Sequence, residues 1–259
     1  MKNFFLLAIA FVFSIFGSNA KFTIFSLNSP AFSNGQRDIV LKKLLAKEKE
    51  TAVNHLTIDM VIGNDLKNFE KLNDLNVDIA IIGPKQQALL NEKKEKYLNH
   101  AKNFLVPSNF IGEKESHQLV SQQSFVFYVD NIKVGVFAVF PCNKMSTEEE
   151  KKIYYLPSSF AAKKMIEDLK KKNVDVIIAI SHQSLEDDKT LVKALKDIDM
   201  IIGCHDCETI SSYDDQTFIY KLNHLDSHLV RIDVAIEKKD IPQKNEVKLF
   251  HSWRDVKIE

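Results

Sequence analysis

Cysteine is scarce in this 259-residue chain: there are 3, too few to staple a disulfide scaffold. Glycine (7) and proline (6) are also few, which excludes a low-complexity chain or one broken by flexible linkers. An excess of charge of one sign is missing as well. The 35 basic residues cancel the 35 acidic ones, so no global field holds a nucleic-acid backbone or an anionic membrane. Apolar runs are short of the roughly 20 residues that cross a bilayer. No Asn-x-Ser/Thr sequon and no hydrophobic tail for a lipid anchor occur. What is present is 45% hydrophobic and 27% charged residues, enough to bury a sizeable core without cross-links.

The longest apolar run, 4–16, follows Lys2 and precedes Gly17-Ser18-Asn19-Ala20. Positive start, short apolar stretch and small residues form the order of a secretory signal peptide. The expectation is a signal over 1–20, cleaved after Ala20, and a single exported domain over 21–259 with no membrane span. Such a chain is secreted or otherwise delivered outside the cytosol, to an extracellular, periplasmic or endomembrane compartment.

The remainder alternates strand-like and helix-like segments with short connections, which predicts a layered α/β domain. Phe22 to Phe25 reads as the first strand, 36–50 as an amphipathic helix, and Leu56 to Ile62 as an apolar stretch. A short helix is expected over 65–75, a buried strand over Val77 to Gly83, a polar helix over 85–98 and a short strand over 104–106. Phe125 to Val129 and Ile132 to Val139, separated by Asp130-Asn131, predict a hairpin. Ser158 or Ser159 is placed to cap a helix burying Ala162, Met165, Ile166 and Leu169. Val174 to Ile180 and Met200 to Ile202 read as fully buried strands, with a helix over 187–196 between them. Three strands are expected from 217 to 253.

In an α/β sheet, ligands bind at the carboxyl ends of the strands. Three apolar runs here end in polar residues: Gly83-Pro84-Lys85, Ser181-His182 and Gly203-Cys204-His205-Asp206-Cys207. His182 and His205 are therefore expected on one rim. Imidazole and thiolate together are the donors zinc prefers.

Asp175 to His182, followed by Asp199 to Cys207, resembles a region of secreted 5′-nucleotidases, which are calcineurin-like metallophosphoesterases. The family writes it as Asp-Val-Ile-Ile-x-Leu-Ser-His and Ile-Asp-Val-Ile-Ile-Gly-Gly-His-x-His. Phe22 to Phe32 is similar to the opening strand and its Thr-Asn-Asp-x-His loop, and Leu75 to Gln86 to the segment ending Gly-Asn-His-Glu. Val106 to Asn109 is similar to Leu-Ser-Ala-Asn, and Asn131 to Val136 to Gly-x-Lys-Val-Gly-Ile. The resemblance implies a four-layer metallophosphoesterase-like β-sandwich flanked by helices. It also implies phosphate-ester hydrolysis at two divalent ions, held roughly 3.5–4 Å apart in such sites.

Carried onto this chain, the family's catalytic letters are largely replaced. The opening Asp-x-His falls on Ser29 and Ala31, and the middle Asn-His on Pro84 and Lys85. Asp59 and Asp65 are both candidates for the bridging carboxylate; a shifted alignment would bring them to the rim with Asn28. His182 and His205 match ligands of one ion, and Cys207 stands where the last histidine of the other is expected. The implied metal set is thus His182, His205, Cys207 and Asp59, holding one divalent ion, zinc or manganese, or none. Lys85 and Asn109 are the candidate substrate-binding residues.

Loss of one ion and of the proton donor removes Lewis-acid stabilisation and about 10²–10⁴-fold of general acid catalysis. The expected function is an exported protein with lost or strongly reduced phosphoesterase activity that binds a small phosphate-bearing ligand or a protein partner. An active metal-dependent phosphoesterase acting on nucleotides or other esters is the alternative. Thiol redox at Cys204 and Cys207 is a minor one, because reactive Cys-x-x-Cys pairs sit at helix N-termini and this pair follows a strand.

Overall fold

In a computed structural model of the protein, which describes residues 19–27, 35–52, 54–61, 75–82, 104–105, 107–113, 124–141, 153–204, 209–214, 216–222, 229–241 and 244–256, two six-stranded sheets stack face to face. The first runs β14 (Lys244–Val256), β13 (Leu229–Ile241), β1 (Asn19–Leu27), β2 (His55–Val61), β3 (Ile79–Ile82) and β4 (Phe104–Leu105). The second runs β11 (Ile210–Asp214), β12 (Thr217–Leu222), β10 (Met200–Cys204), β9 (Val176–Ser181), β7 (Ile132–Val139) and β6 (Ser124–Val129). A small ribbon pairs β5 (Phe110–Glu113) with β8 (Ile153–Tyr155). The described helices are α1 (Gly35–Glu50), α2 (Ser158–Lys171) and α3 (Leu185–Ala194).

Strand alternation sorts the side chains into layers. Phe22, Ile24 and Ile58 of the first sheet meet Val134, Val136, Ile178, Ile202 and Tyr220 of the second in one buried cluster. The outer face of the second sheet, with Phe137, Ile177 and Ile201, is covered by Met165 and Leu169 of α2 and Leu191 of α3. The outer face of the first, with Phe25 and Leu27, is covered by Leu41 and Leu45 of α1. Helix, sheet, sheet and helix are the four layers expected. Strands β7, β9 and β10 are central and buried on both faces, which is why they read as unbroken apolar runs. Leu169 is seated on Gly135, where a Cβ would come within 2.7 Å of its Cδ2.

One device recurs where chains enter the sheets. Asp78, Asp175 and Asp199 each precede a strand by one residue or lead directly into it. Each donates its backbone N–H to a carbonyl on the neighbouring parallel strand and accepts, through its carboxylate, the N–H of that same residue. The partners are Thr57 (2.9 and 2.8 Å), Lys133 (2.8 and 2.9 Å) and Ile177 (3.0 and 2.7 Å). A pair of bonds to one residue fixes the register of two parallel strands, for which no tight turn does so.

β1 to β4 are parallel, as are β7, β9, β10 and β12. Ser108, just past β4, donates its N–H and hydroxyl to the Ala138 carbonyl near the end of β7 (2.8 and 2.6 Å). Both sheets therefore present their carboxyl ends at the same pole.

Several expectations are adjusted. The α2 N-cap is Pro157 with no side-chain cap bond, because Ser158 and Ser159 lie inside the first turn. Helix α3 begins at Leu185 rather than 187, since Ser184 accepts from the Asp187 N–H (3.2 Å) and starts it earlier. Strand β10 continues through Gly203 and Cys204. Strand β1 begins at Asn19, so buried Ala20, opposite Ile236, lies on the leader side of the expected cleavage point. The helices expected over 65–75 and 85–98 lie outside the described residues, apart from Leu75, which sits in a turn.

Candidate functional site

His182 follows Ser181, the last residue of β9, and stands between the ends of β7 and β10. Its backbone N–H donates to the Val139 carbonyl (3.1 Å). The ring lies edge-on to Phe140, 5.3 Å between centroids at 71°. Its Nδ1 is 2.9 Å from the Cys204 carbonyl oxygen, with the Cys204 Sγ at 3.8 Å. A carbonyl can only accept, so in the neutral ring Nδ1 carries the proton and Nε2 the lone pair. That tautomer, fixed by a backbone carbonyl, is the one metal-ligating histidines commonly adopt.

The residues on either side of His182, Ser181 and Gln183, belong to a buried charged network. Lys221 of β12 and Asp188 of α3 form an ion pair of 2.7 Å with both side chains 0% exposed. The Lys221 ammonium also donates to the Gln183 carbonyl (2.6 Å). The other carboxylate oxygen of Asp188 accepts from the Ser181 hydroxyl (2.6 Å) and the Gln183 side-chain amide (3.1 Å). The Ser181 hydroxyl accepts in turn from the Gln183 N–H (3.1 Å). Burial pushes the Asp188 carboxyl above its ordinary range, and Lys221, Ser181 and Gln183 act against that. Gly203 makes room: a Cβ there would sit 2.7 Å from the Lys221 Nζ and 2.7 Å from the Ser181 carbonyl oxygen.

Two other candidate residues, Asp59 and Asn109, lie among the described residues. Asp59 is fully buried in β2, beside Leu27 in register. Leu27 packs with α1, so Asp59 belongs to the helix-facing side of the first sheet and not to the inter-sheet side. Asn109 is also fully buried. Its amide donates to the carbonyls of Phe140 (2.8 Å) and Leu156 (3.0 Å), and its oxygen accepts from the Phe140 N–H (3.0 Å). This side chain, expected to contact substrate, braces the segment after β4 against the end of β7. His205, Cys207, Lys85 and Asp65, with Ser29, Ala31 and Pro84, lie outside the described residues. Cys204 is the buried last residue of β10 and not at a helix N-terminus.

Among the described residues no group of three or more His, Cys, Asp or Glu side chains could hold a metal ion. The described donors by themselves do not make up an ion's ligand set. Lys221 escaped the sequence reading. The one signal was a lysine on the strand Phe218 to Leu222, at a position whose neighbours are all buried.

No family model matches the chain. A stretch of 84 residues is 36% identical to an apyrase of Anopheles gambiae, covering 32% of this chain and 15% of that protein. The structure is similar to a putative 5′-nucleotidase from Staphylococcus aureus, with a TM-score of 0.69 and 13% identity over 92% of this chain and 54% of that one. It is similar also to a 5′-nucleotidase precursor from Thermus thermophilus, with a TM-score of 0.63 and 16% identity over 89% and 55%. The chain thus spans about half the length of these solved structures. No described helix is long and apolar enough to cross a membrane. The fold is that of 5′-nucleotidases and related metallophosphoesterases.

Proposed function

We propose that the chain is an exported protein of 5′-nucleotidase-like fold in which phosphate-ester hydrolysis is lost or strongly reduced. In this reading the rim around His182 binds a small phosphate-bearing ligand or a protein partner. The observation that carries it is the register of β2, which sets Asp59 beside Leu27 on the helix-facing side of the first sheet. Ser29, Ala31, Pro84 and Lys85, in place of the family's ligands and proton donor, support the same reading.

A second reading, a metal-dependent phosphoesterase, is favoured by the His182 tautomer, which leaves the lone pair on Nε2. There, His182, His205 and Cys207 would hold the ion, whose contribution is Lewis acidity toward a phosphoryl oxygen. Elemental analysis of purified protein, alongside hydrolysis of AMP and an aryl phosphate with added zinc or manganese, separates the two. No bound metal and no turnover is expected. Two metals per chain, with turnover abolished in His182→Ala, would overturn the first reading. Export is tested by N-terminal sequencing of protein recovered outside the producing cell. Cleavage after Ala20 would remove the Asn19 and Ala20 pairs from the β1–β13 ladder.

A further inference from the structure

We propose that Lys221 is a positioning residue for His182, holding the rim loop so that the imidazole keeps its Nδ1 on the Cys204 carbonyl. The inference rests on the reading of the His182 rim as the functional site. It asks what keeps that histidine in place.

The residues on either side of His182 are both tied to the same ion pair. Ser181 reaches Asp188 through its hydroxyl, and Gln183 reaches Asp188 through its amide and Lys221 through its carbonyl. The two are tied to each other through the Gln183 N–H. With the His182 N–H held on Val139 and Nδ1 on Cys204, the ring cannot turn without breaking one of these bonds or moving the loop. The Lys221 ammonium is the cation among these partners, and it joins strand, helix and loop.

Energetics distinguish placement from stabilisation. Replacing a buried ion pair by apolar residues of similar volume is often neutral or stabilising, whereas removing one partner is strongly destabilising. If the pair served only to hold the fold together, an apolar replacement would serve equally well. Lys221→Met combined with Asp188→Leu removes the charges together. It leaves the Gln183 carbonyl and the Ser181 hydroxyl without their anchors.

The test is long-range ¹H–¹⁵N NMR of the His182 ring, assigned by its loss in His182→Asn, together with amide exchange over 182–184. The wild-type chain is expected to show one tautomer, protonated on Nδ1. The double variant, folded by circular dichroism, is expected to show a mixture of tautomers and amide exchange faster by about tenfold or more. Lys221→Gln removes the ammonium, leaves a shorter neutral side chain, and provides the same readout should the double variant not fold. A single Nδ1-protonated tautomer with wild-type exchange in the folded double variant, or in Lys221→Gln if that is the one measured, would overturn the proposal. Neither readout needs metal or turnover, so the outcome is independent of whether the chain hydrolyses anything.

Discussion

Replacing Asp199 by asparagine should stabilise the protein at alkaline pH and leave it unchanged in mild acid. Burial is the main reason the carboxyl is pushed from an ordinary 3.8 up to about 6; nearby Asp197 adds to the effect and the hydrogen bond from the Ile177 N–H opposes it. The native state thus prefers the protonated acid. Its contribution to stability is complete below the unfolded value near 4 and is lost as pH rises through about 6. The interval from 3.8 to about 6 amounts to ~3 kcal/mol at full ionisation. Asparagine escapes that cost but accepts the Ile177 N–H less strongly than a carboxylate, giving back ~1 kcal/mol. A net gain of about 1–2 kcal/mol is expected near pH 8, a rise in melting temperature of roughly 2–8 °C for a domain of this size. Urea unfolding of both proteins across pH measures it, and the difference between them cancels every other titrating group. A difference that stays flat between about pH 4.5 and 8 would show that Asp199 ionises normally and that the burial argument is wrong.

Three further outcomes follow from packing. Gly203→Ala pushes a methyl against the Ser181 carbonyl of the neighbouring strand and against the Lys221 ammonium, and should cost about 1–3 kcal/mol in chemical unfolding. Asn109→Ala strands three backbone groups held at 2.8 to 3.0 Å. It should cost at least ~2 kcal/mol, with hydrogen exchange accelerated at Phe140 first. Leu169→Ala empties the seat over Gly135 that this fully buried side chain fills, and should lower stability by about 2–5 kcal/mol by the same measurement.

The layer plan was legible because the central parallel strands are buried on both faces. Val176 to Ile180 and Met200 to Ile202 therefore read as continuous apolar runs, and the residues after them as polar punctuation. Strands β5, β8 and β11 went unread. In β11, alternating half-buried and exposed serines and a tyrosine look like a loop. His182 was visible as a strand-end histidine. Its support was not, because Lys221 is 33 residues from Asp188 and 38 from Gln183 along the chain. The internal bonds of Asn109, to Phe140 and Leu156, were equally invisible, because those partners lie 31 and 47 residues away along the chain.

The three aspartate clamps carry a consequence for how this architecture tolerates change. They set the alignment of neighbouring strands at the ends where the chain enters the sheets, through Thr57, Lys133 and Ile177. Pairing information is therefore stored at one pole, and the loops at the other are released from it. Substitutions in those loops can then accumulate without scrambling the sheet.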